Sequence, residues 1–145
     1  MNWPDTQTGG GYLSANPLKN KFAEWTKIMV PYCDGAFHQG YAKYPIRYKN
    51  STLYFRGSRI TKSLFESLHS QYGLYNSSKI VLTGASAGGV ATFVWSNYLR
   101  SKLAFPDALY TIPDSGVFLN VSTEVTNKYL LSDCIINTFR FANTD

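Results

Sequence analysis

The chain of 145 residues is the size of one domain, and 44% of its residues are hydrophobic, which is a globular composition. Charged residues make up 16%, and the formal net charge is +5. No apolar run approaches the roughly eighteen residues of a membrane helix, so no span is predicted. The first residues, "MNWPDTQTGGGYLS", lack the basic start and apolar stretch of a signal peptide.

Positive charge is concentrated in one part of the sequence. The segment from Gly35 to Phe65 contains no acidic residue and six basic ones: Lys43, Arg47, Lys49, Arg56, Arg59 and Lys62. We expect a solvated basic face, with the alternative that the segment attracts a polyanion. The basic residues form no recognised nucleic-acid-binding motif, so no nucleic-acid partner is expected.

The cysteines say little about the chemistry. Cys33 and Cys134 are too few to define a disulfide framework, and two separated thiols do not make a metal site. We expect two separate or half-buried thiols, although their pairing is left open. Neither a metal nor a cofactor is expected.

The N-terminal half of the sequence suggests a strand, a loop and a helix. Lys27 to Tyr32, "KIMVPY", is a short apolar run that predicts a buried strand. The next stretch, "CDGAFHQGYAKYPIRYKNSTLYF", is rich in glycine and aromatic residues and is predicted to be a long loop. Residues 57–73 then place Ile60, Leu64 and Leu68 on one stripe, which predicts an amphipathic helix closed by Gly73.

The C-terminal half alternates strands and helices. "KIVLT", Lys79 to Thr83, predicts a strand, Ala87 to Leu103 a helix, and "ALYTIP", from Ala108, another strand. Ser122 or Thr123 is positioned to cap a last helix. This alternation is the pattern of an α/β fold with a parallel sheet.

The turn "GASAG" lies between a predicted strand and a predicted helix. This is where a nucleophile elbow must lie, with Ser86 as the nucleophile and the backbone N–H of Ala87 facing the developing oxyanion. Gly84 and Gly88 are expected to leave room where strand and helix nearly collide, and Ser86 is expected to have a positive φ. The alternative is a glycine-rich turn with a passive serine.

The histidines do not fit such a site in the usual way. In this type of hydrolase the triad runs Ser, then Asp or Glu, then His along the chain. Both histidines, His38 and His69, precede Ser86. We expect His69 to be solvated on the exposed side of its helix. His38 lies in a glycine-containing loop, and a relocated general base at this position is an alternative.

Five stretches in the same order resemble the pectin acetylesterase and Notum family of α/β-hydrolases. They are "WPDTQTGGGYLSANP", "EWTKIMVPYCDGAFHQG", "LYFRGSRI", "LTGASAGG" and "IPDSGVFLN". The resemblance implies that residues 1–145 form a partial α/β-hydrolase domain, with a parallel sheet, flanking helices and the nucleophile elbow.

The same resemblance explains the histidines. It implies that the oxyanion glycines lie upstream of this segment, and that the triad acid and histidine lie downstream, all outside residues 1–145. "GGGY", Gly9 to Tyr12, is then in the wrong register for the oxyanion loop and is predicted to be a flexible turn. Asp114 matches a family aspartate near the site that is not the triad acid. Tyr32, Asp34 and His38 are the other candidate pocket residues.

The function implied by the resemblance is that of a serine carboxylic ester hydrolase. Such an enzyme removes acetyl or a fatty acyl group from an acylated polysaccharide or a lipidated protein outside the cell, for example in a cell wall. The sequence leaves the choice of substrate and the oligomeric state open. The alternative is a truncated or degenerate, non-catalytic product that acts at most as a binding module.

Overall fold

The computed structural model describes residues 9–126 and 128–143. These residues divide into two compact units, a shorter one that ends at Pro31 and a larger one that begins at Tyr32. The α-helices and β-strands, all in the larger unit, are β1 (Ile46–Tyr48), β2 (Ser51–Leu53), α1 (Gly57–Tyr72), β3 (Ile80–Ala85), α2 (Ala87–Lys102), β4 (Leu109–Asp114) and α3 (Leu130–Ala142).

The shorter unit is organised around one buried asparagine. The side-chain amide of Asn20 donates hydrogen bonds to the carbonyl oxygens of Tyr12 and Ser14, at 2.9 and 2.7 Å. These bonds hold the "GGGY" stretch, which forms a turn of 3₁₀ helix at Gly11–Leu13. The preceding "WPDTQT" falls among residues 1–8, which lie outside the described ranges.

The strand predicted for Lys27 to Tyr32 is wrong. These residues have no regular secondary structure, and the apolar side chains of Ile28, Met29 and Val30 are exposed. A strand needs a neighbour that completes its backbone hydrogen bonds, and β3 and β4 pair only with each other in the described part of the chain. An apolar run without a pairing partner therefore does not form a strand.

The predicted long loop contains a β-hairpin. β1 and β2 pair antiparallel, with Ile46 opposite Leu53 and Tyr48 opposite Ser51. The two-residue turn has Lys49 at φ 51°. The sequence pattern missed this hairpin because its turn is Lys-Asn rather than the glycine-containing pairs that usually mark such turns.

Helix α1 is confirmed, but the face that it buries differs from the prediction. It ends at Gly73, which has φ 70°, as expected for a glycine cap. The buried positions are Gly57, Thr61 and Phe65, whereas Ile60 of the predicted stripe is 49% exposed. Small residues are buried here because the first turn of α1 packs against the backbone of a preceding loop, which no helical periodicity reveals.

The β3–α2–β4 unit is the centre of the fold and agrees with the prediction. β3 and β4 are parallel, in register from Ile80 opposite Leu109 to Ala85 opposite Asp114. The buried core between this sheet and the two long helices consists of Phe65, Tyr75, Trp95, Leu99, Leu103 and Leu109. The predicted class, an α/β fold with a parallel strand pair and flanking helices, is confirmed.

The last helix begins later than predicted. Thr123 does not cap a helix: its hydroxyl accepts a hydrogen bond from the N–H of Thr126 at 3.3 Å, and its own N–H bonds to the carbonyl of Lys128. Ser122 is likewise outside the helix. α3 starts at Leu130, and at its other end the carbonyl of Ala142 accepts two backbone N–H groups, at 2.9 Å each, from residues 41 and 42.

Helices α1 and α2 are the longest described, with 16 residues each. Within residues 9–126 and 128–143, no helix combines the length and the apolar character needed to cross a membrane.

Candidate active site

Ser86 occupies the junction between β3 and α2 in an unusual backbone conformation. Its φ and ψ are 54° and −113°, a region that residues with a side chain rarely adopt, and its side chain is exposed. Its N–H donates to the carbonyl oxygen of Asp114 at 3.0 Å, and its own carbonyl accepts the N–H of Val90 at 3.1 Å. The positive φ expected from the sequence is present.

Close contacts between glycines fix this junction. A methyl group on Gly84 would lie 2.5 Å from the backbone carbon and oxygen of Gly88, so this position accepts only glycine. The clash expected at Gly88 itself is absent, since an added Cβ there meets nothing within 4 Å. The second tight position is Gly89, where a Cβ would lie 2.6 Å from the Cα of Gly116. Sequence reasoning missed this pair, although both glycines belong to the stretches that carried the resemblance.

The N-terminus of α2 is suited to hold a negative charge. Helix α2 begins at Ala87, and Ser86 makes no side-chain cap. The first N–H groups of a helix have no partner inside it, and they sit at the positive end of the helix dipole. Ala87 is the first residue of α2, so its N–H is one of these groups.

Asp114 lies beside this junction at the end of β4. It is opposite Ala85 in the sheet register, and its carbonyl holds the N–H of Ser86. Its carboxylate accepts a hydrogen bond from the hydroxyl of Ser115 at 2.9 Å. Its side chain is exposed. The structure therefore brings Asp114 next to the proposed nucleophile although 28 positions separate them in the sequence.

Asp34 is buried, and its carboxylate holds the loop of residues 34–40 together. The side chain is 5% exposed. Its two carboxylate oxygens accept four backbone N–H groups at 2.9 to 3.2 Å, from Ala36, His38, Gly40 and Gly57. A methyl group on Gly57 would lie on the carboxylate itself, which explains a glycine at the start of α1. The carboxylate thus shapes residues 34–40 and ties them to α1.

The backbone of His38 connects this loop to α2. His38 has φ 60°, and its carbonyl accepts hydrogen bonds from Trp95 Nε1 at 3.0 Å and from the Thr61 hydroxyl at 3.4 Å. Its ring packs on that of Tyr32, with centroids 5.0 Å apart. Burial lowers the pKa of His38, partly offset by the charge of Asp34. Burial also raises the pKa of Tyr32, whose hydroxyl accepts the N–H of residue 37.

The prediction that His69 is solvated is wrong. The side chain is half-buried, its ring stacks on Tyr75 with centroids 4.3 Å apart, and its Nδ1 accepts the N–H of Tyr75 at 3.3 Å. The imidazoles of both histidines therefore pack on tyrosine rings, and none of these contacts involves Ser86. Ser86, Ala87 and Asp114 form one group, while Tyr32, Asp34 and His38 form another in the loop that precedes α1.

The described residues offer no obvious metal site. No three histidine, cysteine or acidic side chains gather closely enough to hold an ion in the ranges 9–126 and 128–143. Cys33 and Cys134 are both exposed.

A serine with positive φ between a parallel strand and a helix, close-packed through glycines, has the geometry of the nucleophile elbow found in α/β-hydrolases. Comparison with known families agrees with this class: the sequence profile described as Pectinacetylesterase matches residues 1–141. The chain belongs to this family.

Among curated proteins, the chain is similar to two plant enzymes and one animal enzyme. Pectin acetylesterase 5 and pectin acetylesterase 4 of Arabidopsis thaliana are each 36% identical, over 84% and 77% of the chain. Palmitoleoyl-protein carboxylesterase NOTUM of Mus musculus is 32% identical over 99% of the chain. The aligned regions cover 28%, 27% and 28% of these relatives, so the chain spans less than a third of their length.

Proposed function

We propose that this chain carries the nucleophile of a carboxylic ester hydrolase and that Ser86 is that nucleophile. The observation that carries the proposal is the conformation of Ser86, with φ 54° and an exposed side chain at the N-terminus of α2. Backbone strain of this kind costs on the order of 1 to 3 kcal/mol and persists where the surroundings enforce it. Here the glycine contacts and the hydrogen bond to Asp114 enforce it.

The proposed chemistry is acyl transfer through the serine. Ser86 Oγ attacks the carbonyl carbon of an ester and forms a new C–O bond, while the hydroxyl proton passes to a general base. The N–H of Ala87 donates to the resulting oxyanion. The intermediate expels the alcohol, which takes up the proton, and water then hydrolyses the acyl-serine. We propose that the general base is an imidazole outside residues 1–145, because the described contacts of His38 and His69 lie elsewhere.

Membership of the family points to a carboxylic ester as the substrate but leaves two kinds of acyl group open. Its relatives include enzymes named for acetylated pectin and enzymes named for palmitoleoylated protein. We propose a substrate that bears acetyl or a fatty acyl group on an extracellular polymer, as in a plant cell wall, or on a secreted protein. Tyr32, His38 and Asp114 are proposed to contact that substrate.

Acyl trapping tests the nucleophile directly. The chain is incubated with p-nitrophenyl acetate and added imidazole, which replaces the absent base, and acetylated peptides are identified by mass spectrometry. We expect acetylation at Ser86. The matched control is Ser115→Ala, which removes a neighbouring exposed serine that also has positive φ and is expected to retain the label. The proposal fails if Ser86→Ala leaves the yield of acetylated serine unchanged, or if other serines are labelled equally.

A second candidate is a non-catalytic binding module. It is favoured by one observation, that the imidazoles of both histidines contact tyrosines and not Ser86. A segment of a hydrolase that has no internal base still keeps the surface that contacts the substrate. In this candidate function, that surface binds a polymer without cleaving it. The trapping experiment separates the two candidates, since a degenerate elbow is not acetylated preferentially.

A further inference from the structure

Three asparagines open the Asn-x-Ser/Thr triplet that accepts N-linked glycans. They are Asn50, Asn76 and Asn120. Such triplets arise readily by chance in a chain with many serine and threonine residues, so the pattern alone selects no site. The structure separates the three triplets by where each lies in the fold.

The triplet that begins at Asn50 lies at the tip of the β1–β2 hairpin. Lys49 and Asn50 form the two-residue turn, and Ser51 and Thr52 are the first residues of β2. All three members of the triplet, Asn50, Ser51 and Thr52, are exposed. A bulky hydrophilic group on Asn50 therefore extends into solvent without displacing a packed side chain.

The other two triplets are less open. Asn76 ends a turn of 3₁₀ helix directly after the buried Tyr75, and the middle residue of its triplet, Ser77, is half-buried. In the triplet of Asn120, the residue that carries the hydroxyl, Ser122, is half-buried. The triplet at the hairpin is thus the one of the three whose members are all exposed.

The geometry of the turn does not explain an asparagine at position 50. Asparagine is frequent in hairpin turns because it tolerates a positive φ better than other residues with a side chain. In this turn the residue with positive φ is Lys49, at 51°, and Asn50 is not among the residues of positive φ in the described part of the chain. The turn therefore does not use the property for which asparagine is usually found there.

We propose that Asn50 is a site of N-linked glycosylation, with a lipid-linked oligosaccharide pyrophosphate as the sugar donor. Asn50 Nδ2 attacks C1 of the first sugar and forms a new C–N bond. The bond between C1 and the pyrophosphate oxygen breaks, the lipid pyrophosphate leaves with the electron pair, and one proton of the amide passes to a base of the transferase. The inference rests on the extracellular location within the proposed function, but it does not require Ser86 to be a nucleophile.

The third residue of the triplet also favours Asn50. The transferase recognises the hydroxyl of this residue, which is Thr52 at the hairpin and serine in the other two triplets, Ser78 and Ser122. Branching at Cβ restricts χ1 of threonine, so its hydroxyl occupies fewer positions than that of serine. Recognition of Thr52 therefore costs less conformational entropy.

The test follows glycosylation of the 145-residue chain during cell-free translation with endoplasmic-reticulum microsomes. A cleavable secretory signal peptide is fused to the chain, and resistance to added protease verifies entry into the lumen. Three variants each keep one triplet and carry glutamine in place of the other two asparagines. Glycans are detected as gel shifts that endoglycosidase H reverses. We expect Asn50 to be glycosylated in roughly twice as many chains as Asn76 or Asn120.

Substitutions within the triplet test the acceptor itself. Thr52→Ala is expected to abolish the shift due to Asn50, whereas Thr52→Ser keeps the hydroxyl and is expected to retain part of it. Ser86→Ala is expected to be glycosylated as the parent chain is. Failure of the proposed nucleophile and failure of the glycosylation site are therefore separate results.

A second measurement tests whether the folded chain accommodates the glycan. The same fusion is purified from eukaryotic cells, and its melting temperature is measured before and after enzymatic removal of the glycan. Because the hairpin tip is exposed, we expect a difference of less than about 2 °C. Four outcomes overturn the inference: no reversible shift at Asn50, a shift that persists in Thr52→Ala, an equal or larger share at Asn76 or Asn120, and a melting temperature that the glycan lowers by more than this difference.

Discussion

The backbone N–H of Ser86 and the carbonyl oxygen of Asp114 are joined by a hydrogen bond of 3.0 Å across the ends of the two parallel strands. This bond ties the chain at the residue where β3 ends and α2 begins. It therefore helps to hold a backbone conformation that an isolated strand-to-helix turn would not keep. The candidate site depends on this junction, and four predictions test it and its surroundings.

The first prediction concerns the contact between Gly84 and Gly88. Gly84→Ala places a methyl group 2.5 Å from backbone atoms, which cannot rotate away as a side chain would. We expect a loss in the free energy of unfolding of about 3 kcal/mol or more, measured by urea denaturation. Gly88→Ala is the matched control, because its methyl group meets nothing within 4 Å. This helical position should gain up to about 1 kcal/mol. Equal losses in both variants would contradict the described packing.

The second prediction concerns the buried carboxylate of Asp34. Asp34→Asn replaces one of the two acceptor oxygens by an NH₂ group, which cannot accept a hydrogen bond. Depending on the orientation of the amide, either the N–H groups of Gly40 and Gly57 or those of Ala36 and His38 lose their acceptor. We expect this change to lower the free energy of unfolding by roughly 3 kcal/mol, because buried donors lose their partner. Asp107→Asn makes the same substitution at an exposed site and should stay within about 0.5 kcal/mol. A small effect of Asp34→Asn would show that the loop does not depend on this carboxylate.

The third prediction is a pH dependence due to His38. Burial lowers the pKa of His38 in the folded chain, so the unfolded chain binds a proton more readily. Stability is then lost as the pH falls below the unfolded value of about 6.5 towards the lowered pKa of the folded state. We expect the melting temperature of His38→Gln to depend less on pH across this range than that of the parent chain. A flat profile for the parent chain would contradict the prediction.

The fourth prediction concerns catalysis by the 145-residue chain alone. Since the described contacts of both imidazoles exclude Ser86, we expect turnover of p-nitrophenyl acetate some 10⁴ to 10⁶ times below that of a relative with a complete triad. The measurement is steady-state release of p-nitrophenol without added imidazole. The contrary outcome is a rate close to that of such a relative, which is lost in Ser86→Ala. It would mean that a group within the chain acts as the base, and His38 would be the first candidate.

Local sequence patterns predicted the parts of the fold that depend on neighbouring residues. β3, α2 and β4 follow from their apolar runs, and the elbow follows from two glycines around Ser86. The spacing of those glycines also predicts the positive φ of Ser86, although the hydrogen bond to Asp114 that helps to hold it lies outside the local pattern.

The remaining features depend on contacts between residues distant in sequence. Ile60 is exposed because the loop held by Asp34 packs against Gly57 and Thr61 instead. Gly89 is required because it touches Gly116, and a helical position with a small residue gives no sign of that contact. The apolar run that ends at Tyr32 does not form a strand. Strand formation depends on pairing with a second segment, and the sequence of one segment does not show whether such a partner is present.

The glycine contacts also make the elbow separable from the rest of the protein. At Gly84 and Gly88, and again at Gly89 and Gly116, main chain meets main chain, so the spacing is set by hydrogen atoms rather than by the shapes of large side chains. We therefore expect the position of Ser86 to depend little on which side chains fill the core behind α2. An engineer who reshapes the surrounding pocket should therefore keep glycine at Gly84, Gly89 and Gly116, whereas Gly88 has room for a methyl group.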